Sequence, residues 1–185
     1  MMTHYSRLIA VMRSALAQSS DSDFAAAVSE CLIDIWLDDY GSVHPLDDVV
    51  VVETSGFSYL FDIEPGRLIA AWGVSQGRFS GSRNSIKSRM AGHPCVGGPG
   101  YHRGHAIPHT LGGGTDINLV PQLGSVNIGA FRVLEREAVR TPGAVYFSYW
   151  SYSGQTDQIP DNVEQGLLVR GQGGPLNIDI RRHQN

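Results

Sequence analysis

Three histidines and an arginine lie close together in a segment that contains a single acid. The segment 100–122 reads GYHRGHAIPHTLGGGTDINLVPQ, and it carries His102, Arg103, His105 and His109. An imidazole can accept or donate a proton near neutral pH, and a guanidinium can bind two oxygens of one phosphate. The pattern therefore indicates acid–base chemistry on an anion, next to a triple glycine.

The charge of the chain is unevenly distributed along the sequence. No Asp or Glu occurs between residues 65 and 115. The same stretch carries Arg67, Arg78, Arg83, Lys87, Arg89 and Arg103. Because the formal net charge is −4, the remaining chain carries about −10. A local basic surface on an acidic body is suited to a polyanion, although the arginines would also fit a merely solvated face.

Hydrophobic periodicity predicts one α+β domain with a mainly antiparallel sheet. Helices are expected near the N-terminus, over 21–40 with Asp21 or Ser22 as its cap, near 82–90 and over 125–140. Strands are expected over 48–54, in FSYLFDI and RLIAAWGVS around the turn 64–66, and over 143–151, 165–171 and 176–180. The β-branched strand 48–54 is expected to be buried on both faces.

The helix predicted over 125–140 has an amide at the head of an apolar stripe. Asn127, Phe131, Leu134 and Ala138 recur at helical spacing. Asn127 is therefore either a helix cap or an oxygen ligand turned toward a site. Glu135 follows eight residues later, roughly 12 Å along an α-helix. If both side chains serve one metal, one of them acts through water.

The residues HRGHAIPHTLGGGTDINLVPQLGSVNIGAFRVLE resemble the active-site unit of the sugar-non-specific DNA/RNA endonucleases, which are ββα-metal (His-Me finger) nucleases. Their hallmark is Asp-Arg-Gly-His, followed by Asn-x-x-Pro-Gln and then by Asn-x-Gly-Ala-aromatic and Glu. The matching positions are Arg103, Gly104, His105, Asn118, Pro121, Gln122, Asn127, Gly129, Ala130, Phe131 and Glu135. The resemblance implies a nuclease core over 46–185 and leaves 1–45 as a helical extension of the same domain.

The resemblance implies a role for each matching polar residue. His105 would be the general base and Arg103 would contact the phosphate or the transition state. Asn127 would ligate Mg²⁺, which Mn²⁺ can replace, and Glu135 would act on the ion through water. Asn118 and Gln122 would support the loop and position the histidine or the substrate. Arg83, with Arg78 and Arg89 as rivals, would supply a further phosphate contact.

Two alternatives stay open, and the first follows from a departure from the hallmark. His102 stands where the family has Asp, which removes a carboxylate beside the site. A catalytically inactive nucleic-acid-binding relative is therefore the first alternative. The second is a zinc-dependent hydrolase or zinc module that uses His93, Cys95 and the nearby histidines, although their spacing matches no familiar zinc pattern.

The resemblance also bears on partners and location. The expected partner is nucleic acid, which is DNA and also RNA. No membrane is expected as a partner. Compact nucleases of this kind often serve as toxins delivered between bacteria, which implies a neutralising immunity protein. Arg13 interrupts the N-terminal apolar run, so no signal peptide is predicted. The two cysteines make no disulfide framework and indicate a reducing, cytoplasmic setting, either at synthesis or after delivery.

We predict that His105→Ala abolishes most cleavage while the fold persists, because removal of a general base costs about 10²–10⁴ in rate. Cleavage rates and circular dichroism of the two proteins check this prediction. Partial rescue by added imidazole would strengthen the assignment, and a variant that cuts at the wild-type rate would refute it.

Overall fold

A computed structural model describes residues 5–16, 20–81, 98–114, 116–171 and 176–185. Its helices are α1 (Ser6–Leu16), α2 (Asp21–Gly41) and α3 (Phe131–Arg140). Its strands are β1 (Val49–Thr54), β2 (Phe57–Asp62), β3 (Arg67–Val74), β4 (Tyr101–His105), β5 (Leu119–Leu123), β6 (Val145–Ser151), β7 (Asn162–Val169) and β8 (Asn177–Gln184). No helix within these ranges is long and apolar enough to cross a membrane.

The strands form a large sheet and a separate hairpin. Six strands make one sheet in the order β1-β2-β3-β6-β7-β8, and every neighbouring pair is antiparallel. Strands β4 and β5 pair only with each other. The predicted α+β class with a mainly antiparallel sheet is thereby confirmed.

The large sheet is covered on both faces at its centre. On one face, Trp36 of α2 packs against Trp72, Phe147 and Tyr149 at ring-centroid distances of 5.4–6.0 Å. On the other face, Phe131 of α3 packs against Trp150 at 5.9 Å. The aromatic run of β6 is buried on both faces for this reason, as a core strand and not as a base-stacking surface.

The expectation that strand 48–54 is buried on both faces was wrong. Strand β1 lies at the edge of the sheet, where Val51 and Val52 are 49% and 37% exposed. A β-branched run favours an extended backbone, but burial depends on the position of the strand in the sheet. In the large sheet, β3, β6 and β7 are buried over most of their length.

The predicted cap of α2 was also wrong by one position. Ser20 is the cap, and its hydroxyl accepts a hydrogen bond from the Asp23 backbone N–H. The Asp23 carboxylate accepts a hydrogen bond from the Ser20 backbone N–H, which completes a reciprocal capping box. The helix predicted near 82–90 lies outside the described residues.

Arg67 does not belong to a basic surface, because it is only 3% exposed. Its guanidinium donates to the Tyr40 hydroxyl and lies over the Tyr40 and Tyr152 rings. The Asp62 carboxylate lies 3.8 Å away and accepts a hydrogen bond from the same Tyr40 hydroxyl. This buried group joins α2 to β2 and β3, so one of the six basic side chains is structural.

We predict that Arg67→Met destabilises the protein by about 3–5 kcal/mol, because it leaves the buried Asp62 carboxylate without its counter-charge. The matched control is Arg7→Ala, which breaks an exposed ion pair with Asp34 and should cost no more than about 1 kcal/mol. Urea denaturation measures both values. Equal losses for the two variants would contradict the structural role of Arg67.

Candidate active site

The hairpin β4–β5 presents the hallmark residues on two opposite faces. Successive residues of a strand point to opposite sides, so Arg103 and His105 share one face. His102 and Gly104 share the other, where His102 pairs across the hairpin with Gln122. Arg103 and His105 are both partly buried. The predicted base and the predicted phosphate contact therefore lie side by side at the end of β4.

A buried amide fixes the loop that follows His105. The Asn118 side chain is 0% exposed. Its Oδ1 accepts a hydrogen bond of 2.7 Å from the Ile107 N–H, and its Nδ2 donates to the carbonyls of Ile107 and Gly114 at 2.8 and 2.9 Å. The side chain therefore replaces the strand pairing that the loop lacks, and Asn118 acts on the site by positioning it.

The triple glycine allows this loop to fold back on itself. A Cβ atom at Gly113 would collide with the Ile107 carbonyl oxygen, so the two backbones approach too closely for any side chain. Gly112 has a φ of +101°, which also favours glycine. The glycines therefore allow the two ends of the loop, at Ile107 and Gly113, to lie against each other.

Ser148 is a positioning residue that the sequence did not reveal. Its hydroxyl donates to the Ala106 carbonyl at 3.1 Å and accepts from the Trp150 indole N–H at 3.2 Å. The first bond joins the residue after β4 to the central strand β6, and the second lies within β6. A serine inside the aromatic run YFSYW was the available signal, because a polar side chain in a core strand needs a partner.

Gln122 is 0% exposed and lies across Gly104. Neither atom of its amide has a hydrogen-bond partner among the described residues. Leaving a buried polar group unpaired costs about 1–3 kcal/mol, so such groups tend to occur where a function requires them. Its place in the hairpin favours support of the site over direct contact with a large substrate.

The segment before α3 departs from regular helix geometry. Residues Val126–Ala130 form a π-helical turn, in which the Phe131 N–H donates to the Val126 carbonyl. Such turns often occur at functional sites. Phe131, Leu134 and Ala138 are buried as predicted, whereas Asn127 is only partly buried. Its amide nitrogen lies 3.4 Å from Nδ1 of His102, a contact that the sequence did not reveal.

Glu135 occupies an apolar environment on α3. Burial raises the pKa of Glu135 to about 7, and the neighbouring Arg132 offsets part of the rise. Burial and then the Glu135 carboxylate raise the pKa of Tyr146 on the sheet beneath. A carboxyl group held near half-protonation at neutral pH would be ionised by a nearby cation.

The other residues predicted to bind phosphate or zinc lie either at the surface or outside the described residues. Arg78 is exposed beyond β3. Arg83, Arg89, His93 and Cys95 lie outside the described residues. In the part of the chain that is described, no three His, Cys, Asp or Glu side chains cluster as a metal site. The predicted magnesium site consists of the Asn127 amide and the Glu135 carboxylate, so it would not form a cluster of this kind.

Asn127 before α3 and Glu135 within it offer donor atoms of the kind that a hard divalent cation prefers. The Asn127 amide supplies a neutral oxygen, and Glu135 supplies a carboxylate whose raised pKa a cation would lower. Mg²⁺ commonly keeps several waters and takes only one or two protein oxygens, so two such groups suffice.

Comparison with known proteins identifies a similar fold but no family. No protein-family model matches the chain, and no curated protein matches it. NucA from Streptococcus agalactiae, crystallised with a magnesium ion bound, is similar with a TM-score of 0.50 at 14% identity over 80% of this chain and 88% of that chain. The same NucA without metal gives 0.45 at 14% identity over 79% and 86%. At this identity the likeness shows a common fold.

We predict that Glu135→Gln stabilises the metal-free protein at pH 8. A raised pKa means that ionised Glu135 opposes folding above about pH 7, and this cost disappears as the pH falls to the ordinary value near 4.5. The gain in melting temperature should therefore be large at pH 8 and absent at pH 4. Melting curves in EDTA at both pH values test it, and a gain independent of pH would contradict burial of the carboxylate.

Proposed function

We propose that this protein is a metal-dependent endonuclease that hydrolyses phosphodiester bonds of DNA, and of RNA as a second substrate, with little sequence specificity. The observation that carries the proposal is the order of the motif blocks on a β-loop-β-helix unit. Arg103 and His105 lie together on β4, and Asn127 and Glu135 follow on the helical segment after β5. The likeness to the fold of NucA, crystallised with magnesium, supports it.

In this proposal His105 accepts the proton of the attacking water. An imidazole suits this task because its ordinary pKa lies near neutral pH. The Asn118 amide holds the backbone two residues after His105, and Ser148 holds the backbone of Ala106. These bonds fix the backbone that follows His105 before substrate arrives, and such a fixed backbone favours efficient proton transfer.

Arg103 binds the scissile phosphate on the same face. Its guanidinium donates to two phosphate oxygens and stabilises the charge that develops as the bond breaks. The exposed Arg78 adds a contact along the substrate backbone, with Arg83 and Arg89 as further candidates. No acid occurs between residues 65 and 115, so the approach of a polyanion meets little repulsion from this part of the chain.

Asn127 directly, and Glu135 through water, would hold the divalent cation. When bound, Mg²⁺ or Mn²⁺ neutralises phosphate charge and stabilises the leaving oxygen. Glu135 is ionised in that state, so its carboxylate orients water at the head of α3. The site needs no thiolate, which favours these ions over zinc.

The test is incubation of the purified protein with plasmid, linear DNA and RNA, in Mg²⁺ and in excess EDTA. We expect nicking and linearisation of plasmid in Mg²⁺ and no cleavage in EDTA. Full activity in EDTA would refute metal dependence. Binding of nucleic acid without cleavage in any metal would favour the inactive binding relative.

Two variants of Asn127 separate metal ligation from helix capping. Asn127→Ala should abolish cleavage, because it removes a direct protein ligand of the cation. Asn127→Asp should lower the rate by about tenfold or more with little change in melting temperature, because the added charge weakens the cation as an electrophile. If Asn127 only capped the helix, aspartate would be tolerated, because it caps as well as asparagine. Wild-type cleavage by Asn127→Ala at ordinary Mg²⁺ would remove this residue from the site.

A further inference from the structure

The imidazole of His102 is held against the side chain of Asn127. His102 Nδ1 lies 3.4 Å from the terminal amide nitrogen of Asn127. The other edge of the ring lies on Gly124, where a Cβ atom would be 2.9 Å from Nε2. Any residue larger than glycine at position 124 would therefore push the ring. The backbone of the hairpin thus leaves room for an imidazole at this point.

The distance between the two side chains suits two ligands of one ion. Donor atoms bound to one cation at about 2.1 Å lie about 3.0 Å apart at a right angle and about 3.4 Å apart at a tetrahedral angle. A separation of 3.4 Å is long for a hydrogen bond between two nitrogens. Rotation of the Asn127 amide exchanges its nitrogen and oxygen, which are not distinguished by shape. The oxygen would then stand beside Nδ1.

We propose that His102 and Asn127 together ligate the divalent cation, and that the imidazole nitrogen makes the site selective for Mn²⁺ and the later first-row transition metals over Mg²⁺. The proposal rests on the proposed function, because it concerns the same cation. It assigns to His102 a role as a direct ligand, where the hallmark of the similar nucleases has a carboxylate.

Ligand chemistry gives the direction of the selectivity. Mg²⁺ prefers charged oxygen ligands and binds imidazole weakly, whereas Mn²⁺ and the metals after it accept imidazole readily. Replacing a carboxylate by a neutral ring also removes one negative charge from the site. Loss of the negative charge lowers the affinity for Mg²⁺ most. The imidazole nitrogen raises the affinity only for the transition metals.

The test measures metal binding without nucleic acid. Electron paramagnetic resonance of free Mn²⁺ gives its affinity, and competition gives that of Mg²⁺, for the wild type, His102→Asp and His109→Ala. His109 is the matched control, a histidine of the loop after β4 that packs against Phe79. Pulsed resonance of bound Mn²⁺ detects a ¹⁴N coupling if imidazole is a ligand. Circular dichroism checks that each variant is folded.

We expect the wild type and His109→Ala to bind Mn²⁺ about tenfold or more tightly than Mg²⁺, with a ¹⁴N coupling. His102→Asp should lose both the coupling and most of the preference. A wild type without ¹⁴N coupling, or a folded His102→Asp with an unchanged preference, would overturn the proposal.

The same proteins distinguish this proposal from the nuclease itself. Cleavage in Mg²⁺ by a wild type that shows no ¹⁴N coupling would leave the proposed function standing and refute the role of His102. A ¹⁴N coupling that depends on His102, without cleavage in any metal, would support the metal site and refute the nuclease.

Discussion

The buried amide of Asn118 is the constraint on which the site depends. The loop after β4 has no strand partner of its own, and Asn118 satisfies three of its backbone groups. Its own carbonyl also accepts a hydrogen bond from the Ala106 N–H at 2.9 Å. The close approach at Gly113 makes this loop possible, and Ser148 joins it to the sheet. His105 therefore lies at the end of a strand whose exit is fixed from both sides, and its proposed role as the base requires such rigidity.

A second constraint is the π turn before α3. The extra residue in this turn changes the rotation of Asn127 about the helix axis relative to Phe131, which stays in the core. The direction of the Asn127 side chain is therefore not set by the regular helical repeat that places Phe131 in the core. The helix can pack on the sheet through Phe131 while Asn127 meets His102. Irregular hydrogen bonding of this kind is common at functional sites, and here it accompanies the contact between Asn127 and His102.

Much of this arrangement could be predicted from the sequence. Motif blocks at fixed spacing identified the hairpin and the helix, because each block carries both a structural glycine or proline and a polar group. Periodicity could not show that β1 lies at the sheet edge or that Arg67 is buried, because both depend on contacts between distant segments. The contact between His102 and Asn127 depends on the π turn, which a repeat of 3.6 residues does not represent.

The most direct measurement is anomalous diffraction from crystals of the wild-type protein soaked in Mn²⁺. A single strong peak within about 2.2 Å of the Asn127 side chain, on the segment that follows the β4–β5 hairpin, is the predicted result. Such a peak would show that the hairpin and the helical segment form one metal centre. A strongest peak elsewhere on the protein, with none at Asn127, would contradict the assignment of these elements as a metal-dependent nuclease site.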